Sequence, residues 1–418
     1  MEEPPHEAVH IMERNKEFLL FDPFVPNWKK VSPTVALLLL LAREGEKGAH
    51  ALDTCEGCSS HTLQDLITSA LSSFKHKSED QRVERVQNIQ ERHHPLDVEL
   101  NLTPTCSGKC IYCYYTYTCD TVLTSSQWKS IIASAAEMHP DRIIFSGGDP
   151  VKYEGFCDIA HYARELSLST HLLSNGLIPE DIIPDISAGF NSIQISIDGF
   201  ERTQQTLRGI SFHNVMTSIE RLVDEGMPVT AGITLTALNI DEVLPLIEYL
   251  SQKGVNAFHI SLLKEIGNAQ NYNTLRAAPD AIVALFKKLF ELDDTIDTLY
   301  YLLPRKLRKK FNCGAGTEIL SIMPDGEVYP CDALINPKFS CGSALEKELN
   351  DIYLNSSILH TLRNLTVEQL PPCDTCIYRY VCGGGCIGEA VAQWDRVGIF
   401  QRDCEFLKKF YEEFMWIT

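Results

Sequence analysis

The sequence predicts an α/β protein whose central part is a parallel sheet curved into a partial barrel. Six apolar runs, long enough for strands, alternate with patterns that repeat at the helical period. The runs are residues 98–102, 142–145, 171–173, 192–197, 229–235 and 257–262, and the helical patterns include 126–137, 159–166, 215–224 and 244–252. Strands that each pair with a helix favour a parallel sheet, in which binding residues gather at the carboxyl ends of the strands.

Composition limits the class of protein. The chain has 418 residues, 44% of them hydrophobic and 22% charged, as in globular proteins with two or three domains. The longest apolar stretch, residues 35–42, is far shorter than the ~20 residues that span a bilayer, and no signal peptide precedes it. We therefore expect a cytoplasmic protein that binds no membrane. A net charge of -19 and a pI near 5.1 argue against nucleic acid as a partner.

The N-terminal segment has a different pattern. Residues 8–12, 17–21 and 28–31 predict short strands separated by turns, and Ser32-Pro33 predicts the start of a helix through residue 41. A second helical pattern covers residues 61–74. Three strands with helices predict a small winged-helix-like domain over residues 1–95. An accessory domain that packs on the barrel or mediates dimerisation is the alternative.

Fifteen cysteines in a large chain without an export signal indicate metal sites rather than disulfides. Cys106, Cys110 and Cys113 form a C-x3-C-x2-C pattern directly after the first strand of the barrel. Three thiolates on one loop can hold three irons of a 4Fe-4S cluster, which leaves the fourth iron open to a substrate or cofactor. Half of a zinc site is the alternative.

Four further motifs follow the next strands in order. They are Ser-Gly-Gly-Asp-Pro at 146–150, Ser-Asn-Gly at 174–176, Ile-Ser-Ile-Asp-Gly at 195–199 and Arg-Gly at 208–209. Paired glycines allow backbone to approach a ligand, and a guanidinium suits a carboxylate. Ser196 and Asp198 could instead end a strand and begin a turn.

These motifs, taken in barrel order, resemble those of the radical S-adenosylmethionine (SAM) enzymes. In that family the open iron binds SAM, and one electron cleaves SAM to a 5'-deoxyadenosyl radical. The resemblance implies that SAM contacts Tyr112, Gly147, Gly148, Asp149, Ser174, Asn175, Ser196, Asp198 and Arg208. Two departures affect this assignment. Asp149 replaces the family's usual glutamate, and residues 203–206, Thr-Gln-Gln-Thr, replace its usual His-Asp before the arginine.

The remaining cysteines lie mostly near the C-terminus. Cys313, Gly326 and Cys331 form C-x12-G-x4-C, and the later cysteines form C-x2-C-x5-C-x3-C followed by Cys404. This order resembles the SPASM domain of peptide-modifying radical SAM enzymes, with a zinc ribbon as the alternative for residues 373–386. The resemblance implies two auxiliary 4Fe-4S clusters, the first held by Cys313, Cys331 and Cys386, the second by Cys373, Cys376, Cys382 and Cys404.

Three points stay open at this stage. The first auxiliary cluster lacks a fourth cysteine, so that either Cys341 fills the position or the iron stays open to a substrate thiolate. Asp332 matches in position the general base of the anaerobic sulfatase maturases, and a structural turn residue is the alternative. Cys55 and Cys58 form a lone C-x2-C pattern that a metal could use.

The family resemblance implies an enzyme that modifies a ribosomally made precursor peptide, forming a thioether between a cysteine thiol and a carbon of another residue. The expected domains are 1–95 for precursor recognition, 96–305 for the radical SAM barrel and 306–418 for SPASM. The expected cofactors are three 4Fe-4S clusters and SAM, with a flavodoxin or ferredoxin-type reductant. The alternatives are formylglycine formation, as in sulfatase maturases, and a non-catalytic iron-sulfur electron carrier or peptide-binding scaffold.

Overall fold

In this computed structural model, the residues described are 10–22, 27–32, 35–36, 39, 94–255, 257–272, 274–291, 297–300, 309–398 and 404–417. The strands are β1 (His10–Arg14), β2 (Glu17–Asp22), β3 (Asn27–Val31), β4 (Asp97–Asn101), β5 (Arg142–Ser146), β6 (Thr170–Ser174), β7 (Ser192–Ser196), β8 (Val229–Leu235), β9 (Ala257–Leu262), β10 (Asp297–Tyr300), β11 (Ile319–Ile322), β12 (Glu327–Tyr329) and β13 (Gly342–Ser343).

Helices lie between most of these strands and follow the last of them. They are α1 (Ser125–Glu137), α2 (Phe156–Glu165), α3 (Ile183–Gly189), α4 (Glu201–Arg208), α5 (Phe212–Asp224), α6 (Val243–Gln252), α7 (Pro279–Glu291), α8 (Leu349–Asn355), α9 (Ser357–Asn364), α10 (Arg379–Cys382), α11 (Ile387–Trp394) and α12 (Cys404–Ile417). Within the ranges given above, no helix is long and apolar enough to cross a membrane.

The α/β fold class predicted from the sequence is confirmed. Strands β4 to β9 pair in parallel and in chain order, within one residue of the predicted bounds. The predicted helices are also present, with α1 fixed by a capping box in which Thr124 and Gln127 bond each other's backbone. The sheet also contains β10 at one end and β11, β12 and β13 at the other, which the sequence did not predict. Strand β11 joins β4 in parallel and so attaches the C-terminal part directly to the barrel.

The three predicted N-terminal strands form a separate antiparallel sheet in the order β1-β2-β3. Ser32 accepts hydrogen bonds from Val35 N through its side chain and from Ala36 N through its carbonyl, as expected for a helix N-cap. The predicted helix over residues 61–74 lies outside the described residues, as do Cys55 and Cys58.

The N-terminal sheet packs on the C-terminal helix. Arg14 forms a two-pronged ion pair with Glu413 at 2.8 Å on each arm, and Trp28 meets Phe414 edge to face at 5.4 Å between ring centroids. Phe21, which is buried, stacks on Tyr378 at 5.7 Å. The first strands of the chain and its last helix therefore share one packed interface.

Candidate active site

The three-cysteine loop leaves the carboxyl end of β4, where the sheet topology places binding residues. Backbone hydrogen bonds fasten it to the end of α4, from Lys109 N to Arg208 O at 2.8 Å and from Ile111 N to Leu207 O at 3.0 Å. Farther on, Cys113 O accepts a bond from Asn268 N at 2.9 Å. The loop is therefore held by backbone groups from the end of α4 and from Asn268.

Hydrogen-bond donors point at the thiols of this loop. Cys106 Sγ accepts from Gly108 N at 3.3 Å and from Asn175 Nδ2 at 3.4 Å, and Arg208 Nη1 lies 4.0 Å from Cys110 Sγ. Burial raises the pKa of Cys110 to about 11, while Arg208 lowers it. Donors and a cation around sulfur favour the thiolate form, which is the form that ligates iron.

The three thiols fit the cluster expected from the sequence. In the ranges that the structure describes, no three Cys, His, Asp or Glu side chains converge on a point suited to a single metal ion. A cubane cluster does not require that convergence, because each thiolate binds a different iron. Cys106, Cys110 and Cys113 would hold three irons of such a cluster.

The glycine pair after β5 serves close packing between two loops. A Cβ on Gly147 would lie 2.7 Å from Thr103 O, and one on Gly148 would lie 2.6 Å from Pro104 O. Two backbone bonds join the same loops, from Gly148 N to Thr103 O at 2.7 Å and from Asp149 N to Thr105 O at 2.9 Å. The glycines thus let the turn approach the start of the cluster loop, and their approach to a ligand stays a prediction.

Asp149 connects this turn to the next strand. Its buried carboxylate accepts from Asn175 N at 3.0 Å, from Ser174 Oγ at 3.2 Å and from Val151 N at 3.2 Å. Burial raises the pKa of Asp149 to about 6, and these donors oppose the rise. The carboxylate therefore positions Asn175, whose amide reaches Cys106.

Three of the predicted SAM residues bond one another. Asp198, with 0% exposure, accepts from Arg208 Nε at 2.6 Å and Nη2 at 3.3 Å, and also from the Tyr112 hydroxyl. The Arg208 guanidinium lies 5.5 Å from the centre of the Tyr112 ring. Burial opposes the charge of Arg208, but Asp198 outweighs it and the pKa of Arg208 is raised. This buried ion pair lies beside Cys110.

Ser196 ends β7 and is half-buried, and its carbonyl accepts from Gln204 Nε2 at 3.5 Å. Gln204 in turn accepts from Asp198 N at 2.8 Å. Asn239, which the sequence did not single out, donates to Asp198 O at 2.8 Å. Gln204 stands in the segment that departs from the family motif, and it supports the turn that carries Asp198.

The three cysteines predicted for the first auxiliary cluster lie within electrostatic range of one another, whereas Cys341 has different neighbours. The thiols of Cys313 and Cys386 both act electrostatically on Cys331, whose pKa is raised by burial. The Cys341 thiol instead faces Ser356 and Arg363, and lies 3.5 Å from Phe339 O. Cys313, Cys331 and Cys386 would therefore hold a cluster to which Cys341 does not contribute.

The second auxiliary set forms a complete four-thiol site. Cys373, Cys376, Cys382 and Cys404 line one small hollow. Burial, together with the charges of the other three thiols, raises the pKa of Cys373 to about 12. Four thiols that face one hollow fit a 4Fe-4S cluster, and α12 supplies the last of them at its first residue.

Three polar side chains lie within electrostatic range of one another. Asp332, next to Cys331, acts on Glu99 of β4 and on the half-buried Tyr114. Glu99 accepts from Ser321 Oγ at 2.6 Å, and burial, reinforced by Asp332, raises the pKa of Glu99 to about 7. Sequence reasoning singled out Asp332 but missed Glu99. The signal was an acidic residue that alternates with Val98 and Leu100 in a buried strand.

Two family models match the chain. Residues 100–250 match the radical SAM superfamily, and residues 313–377 match the SPASM iron-sulfur cluster-binding domain. The chain therefore carries a radical SAM domain and, after it, a SPASM domain. It is a radical SAM enzyme of the SPASM-containing type.

Curated relatives differ in what they act on. An AdoMet-dependent heme synthase of Methanosarcina barkeri is 25% identical over 69% of this chain and 90% of its own length. A PqqA peptide cyclase of a Methylobacterium species is 26% identical over 71% of this chain and 83% of its own length. Streptococcus suis SuiB, solved with its precursor peptide SuiA, aligns with a TM-score of 0.62 and 15% identity, over 92% of this chain and 95% of that one. This likeness supports the fold.

Proposed function

We propose that this enzyme modifies a ribosomally made precursor peptide by joining a cysteine thiol to a carbon of another residue. The observation that carries the proposal is the pair of cysteine-rich sites flanking the barrel. One set of three thiols follows the carboxyl end of β4, and a second set of three comprises Cys313 before β11, Cys331 after β12 and Cys386 just before α11. The PqqA peptide cyclase and the precursor-bound SuiB support a peptide as the substrate class.

SAM and the clusters, when bound, would supply the abstraction of one hydrogen atom from the peptide and an acceptor for the one electron released as the carbon–sulfur bond forms, while the thiol proton goes to a base of this chain. The residues of this chain hold and orient the reacting groups. Asp198 and Arg208 form the fixed charged wall beside Cys110, and Asp149 positions Asn175 against Cys106. We assign to these residues, with Tyr112, Gly147, Gly148, Ser174 and Ser196, the SAM pocket.

Asp332 is proposed as the proton acceptor. A thioether forms only after the substrate thiol gives up its proton. The Asp332 carboxylate follows Cys331 directly, so it would be close to a substrate thiol bound at the first auxiliary site. Because Cys341 faces elsewhere, the three-cysteine set offers an open position for that thiolate. The electrostatic effect of Asp332 on Glu99 of β4 and on Tyr114 supports a position within range of the barrel strands.

The N-terminal sheet is proposed to bind the leader of the precursor. Among the described strands, β3 lies at one end of the three-strand order, and we propose that the leader adds to this sheet as a further strand. A peptide that adds to such an edge gains backbone hydrogen bonds, and side-chain pockets provide specificity. This sheet distinguishes the chain from the sulfatase-maturase alternative, which needs no leader-binding module.

Co-expression with the neighbouring short open reading frame tests the proposal. A thioether removes two hydrogen atoms from the peptide and protects one cysteine from alkylation, while the sulfur stays. Conversion of cysteine to formylglycine removes the sulfur, and mass spectrometry separates the two outcomes.

The Cys106→Ala/Cys110→Ala/Cys113→Ala variant is the control, in which both product and 5'-deoxyadenosine should disappear. Normal 5'-deoxyadenosine formation by that variant would reject the radical SAM assignment of these cysteines.

A further inference from the structure

A cavity of about 250 Å³ connects the two auxiliary sites. Its wall includes Cys313 and Cys386 from the first set and Cys382 from the second. Lys310 and Glu318 line the same cavity. A charged side chain here faces cysteines of both sets.

The backbone fixes Lys310 at this position. Lys310 N donates to Tyr380 O at 2.8 Å, and Tyr380 lies two residues before Cys382 in α10. A Cβ added to Gly383 would be 3.1 Å from the Lys310 Cβ, so the two segments are in direct contact. Cys313 follows Lys310 by three residues. Lys310 therefore contacts the segment that carries Cys382 of the second set, and it lies three residues before Cys313 of the first set in the sequence.

Its charge acts on both sites. Burial lowers the pKa of Lys310, whereas Cys382, Glu318 and Cys313 favour its charged form. A second lysine, Lys264, acts on Cys331 and Cys386, which both belong to the first set. Lys264 lines the same cavity, but the thiols on which its charge acts most directly belong to the first set.

We propose that Lys310 is a positioning residue that sets the reduction potentials of the two auxiliary clusters together, whereas Lys264 acts mainly on the first cluster. Reduction adds a negative charge to a cluster, and a nearby cation stabilises the reduced state. Net charge and polar surroundings are among the factors that set cluster potentials. The proposal rests on the two-cluster assignment made above.

The test compares three neutral variants of the reconstituted enzyme: Lys310→Met, Lys264→Met and Lys309→Met. Lys309 is the matched control, because it adjoins Lys310 but its Nζ lies over the Tyr380 ring at 4.0 Å. Iron content establishes that the clusters are present, and a redox titration followed by electron paramagnetic resonance gives their midpoint potentials. We expect Lys310→Met to lower both auxiliary potentials, Lys264→Met to lower the first, and Lys309→Met to change neither. Lys310→Arg keeps the charge and should keep both potentials.

Several results would overturn the proposal. One is an unchanged pair of potentials in Lys310→Met with full iron content, and another is an equal shift in Lys310→Met and Lys310→Arg. If Lys310→Met loses iron, Lys310→Gln is titrated instead, and loss of iron from both would assign Lys310 to cluster assembly and reject its role in potential. A wild-type enzyme without auxiliary clusters would reject the proposed cluster assignment itself, which is a separate outcome.

Discussion

Asp198 is a fully buried carboxylate whose charge is compensated by specific donors. Arg208 supplies two of them, and the backbone N–H of Thr234 supplies another at 2.8 Å. Removing one partner of a buried ion pair leaves an uncompensated charge, which typically costs about 3–5 kcal/mol. The ion pair is therefore a structural requirement of the proposed SAM pocket.

Arg208→Met is expected to lower the free energy of unfolding by about 3–5 kcal/mol because it strands the Asp198 charge. The double variant Asp198→Asn/Arg208→Met should be less destabilised than the sum of the two single variants, since neither charge remains. Anaerobic urea unfolding measures all four proteins. Strict additivity would show that the two side chains do not act as a pair.

Glu99 should make stability depend on pH. Burial raises its pKa to about 7 in the folded protein from its ordinary value of 4.5, so folding favours the protonated form. Its contribution to stability is present below pH 4.5 and is lost as pH rises through 7. Between pH 5.5 and 7.5 the wild type should lose about 2 kcal/mol that Glu99→Gln does not lose. Urea unfolding at both values checks this, and parallel pH dependences would contradict it.

At the scale of secondary-structure elements, the turn after β5 depends on Gly148 for its close contact with the cluster loop. Gly148 has no positive φ, so its requirement for glycine is steric contact with the cluster loop. The contact is with backbone, which cannot rotate away as a side chain can. A methyl group at this position must displace residues 103–105, which lead directly into Cys106.

Gly148→Ala should lower iron binding at the three-cysteine loop and with it 5'-deoxyadenosine formation, by about tenfold or more if the displaced loop costs more than about 1.4 kcal/mol. Gly398→Ala is the matched control, because a Cβ there meets nothing within 4 Å. Iron analysis and a single-turnover assay compare the two variants. Equal iron content in both would show that the turn tolerates a side chain.

The central strands were predictable because their apolar runs are buried on both faces, as in β8, which was predicted with its observed bounds. Helix α4 was not, since its buried residues include Thr203, Gln204 and Arg208 and thus give no apolar period. Strands β11 to β13 have four, three and two residues, too short for a pattern. Cysteine spacing predicted the candidate ligands, whereas the surroundings of Cys341, which include Ser356 and Arg363, could be seen only in the fold.

In the whole molecule, the N-terminal sheet is coupled to the second auxiliary site through α12. This helix begins at Cys404 and carries Glu413 and Phe414 near its other end. Both residues contact the sheet, through Arg14 and Trp28. The ion pair is partly exposed and contributes little, so the aromatic contacts provide most of the attachment.

Trp28→Ala should loosen α12, because the loss of a partly buried aromatic contact costs about 1–3 kcal/mol. Hydrogen exchange of residues 404–417 should become about tenfold faster or more. Leu354→Ala serves as the control, because Leu354 is an exposed apolar residue of α8 with 37% of its surface accessible. Unchanged exchange in 404–417 would show that the sheet does not support the helix.

The contact between the first strands and the last helix has a consequence for the order in which the protein matures. Residues 10–31 are synthesised before residues 404–417, so the sheet cannot pack on α12 until that later segment has been made. Cys404 belongs to the same later segment and adds the fourth thiol to the second set. Attachment of the sheet and loading of the second auxiliary cluster therefore both wait for the same fourteen-residue helix.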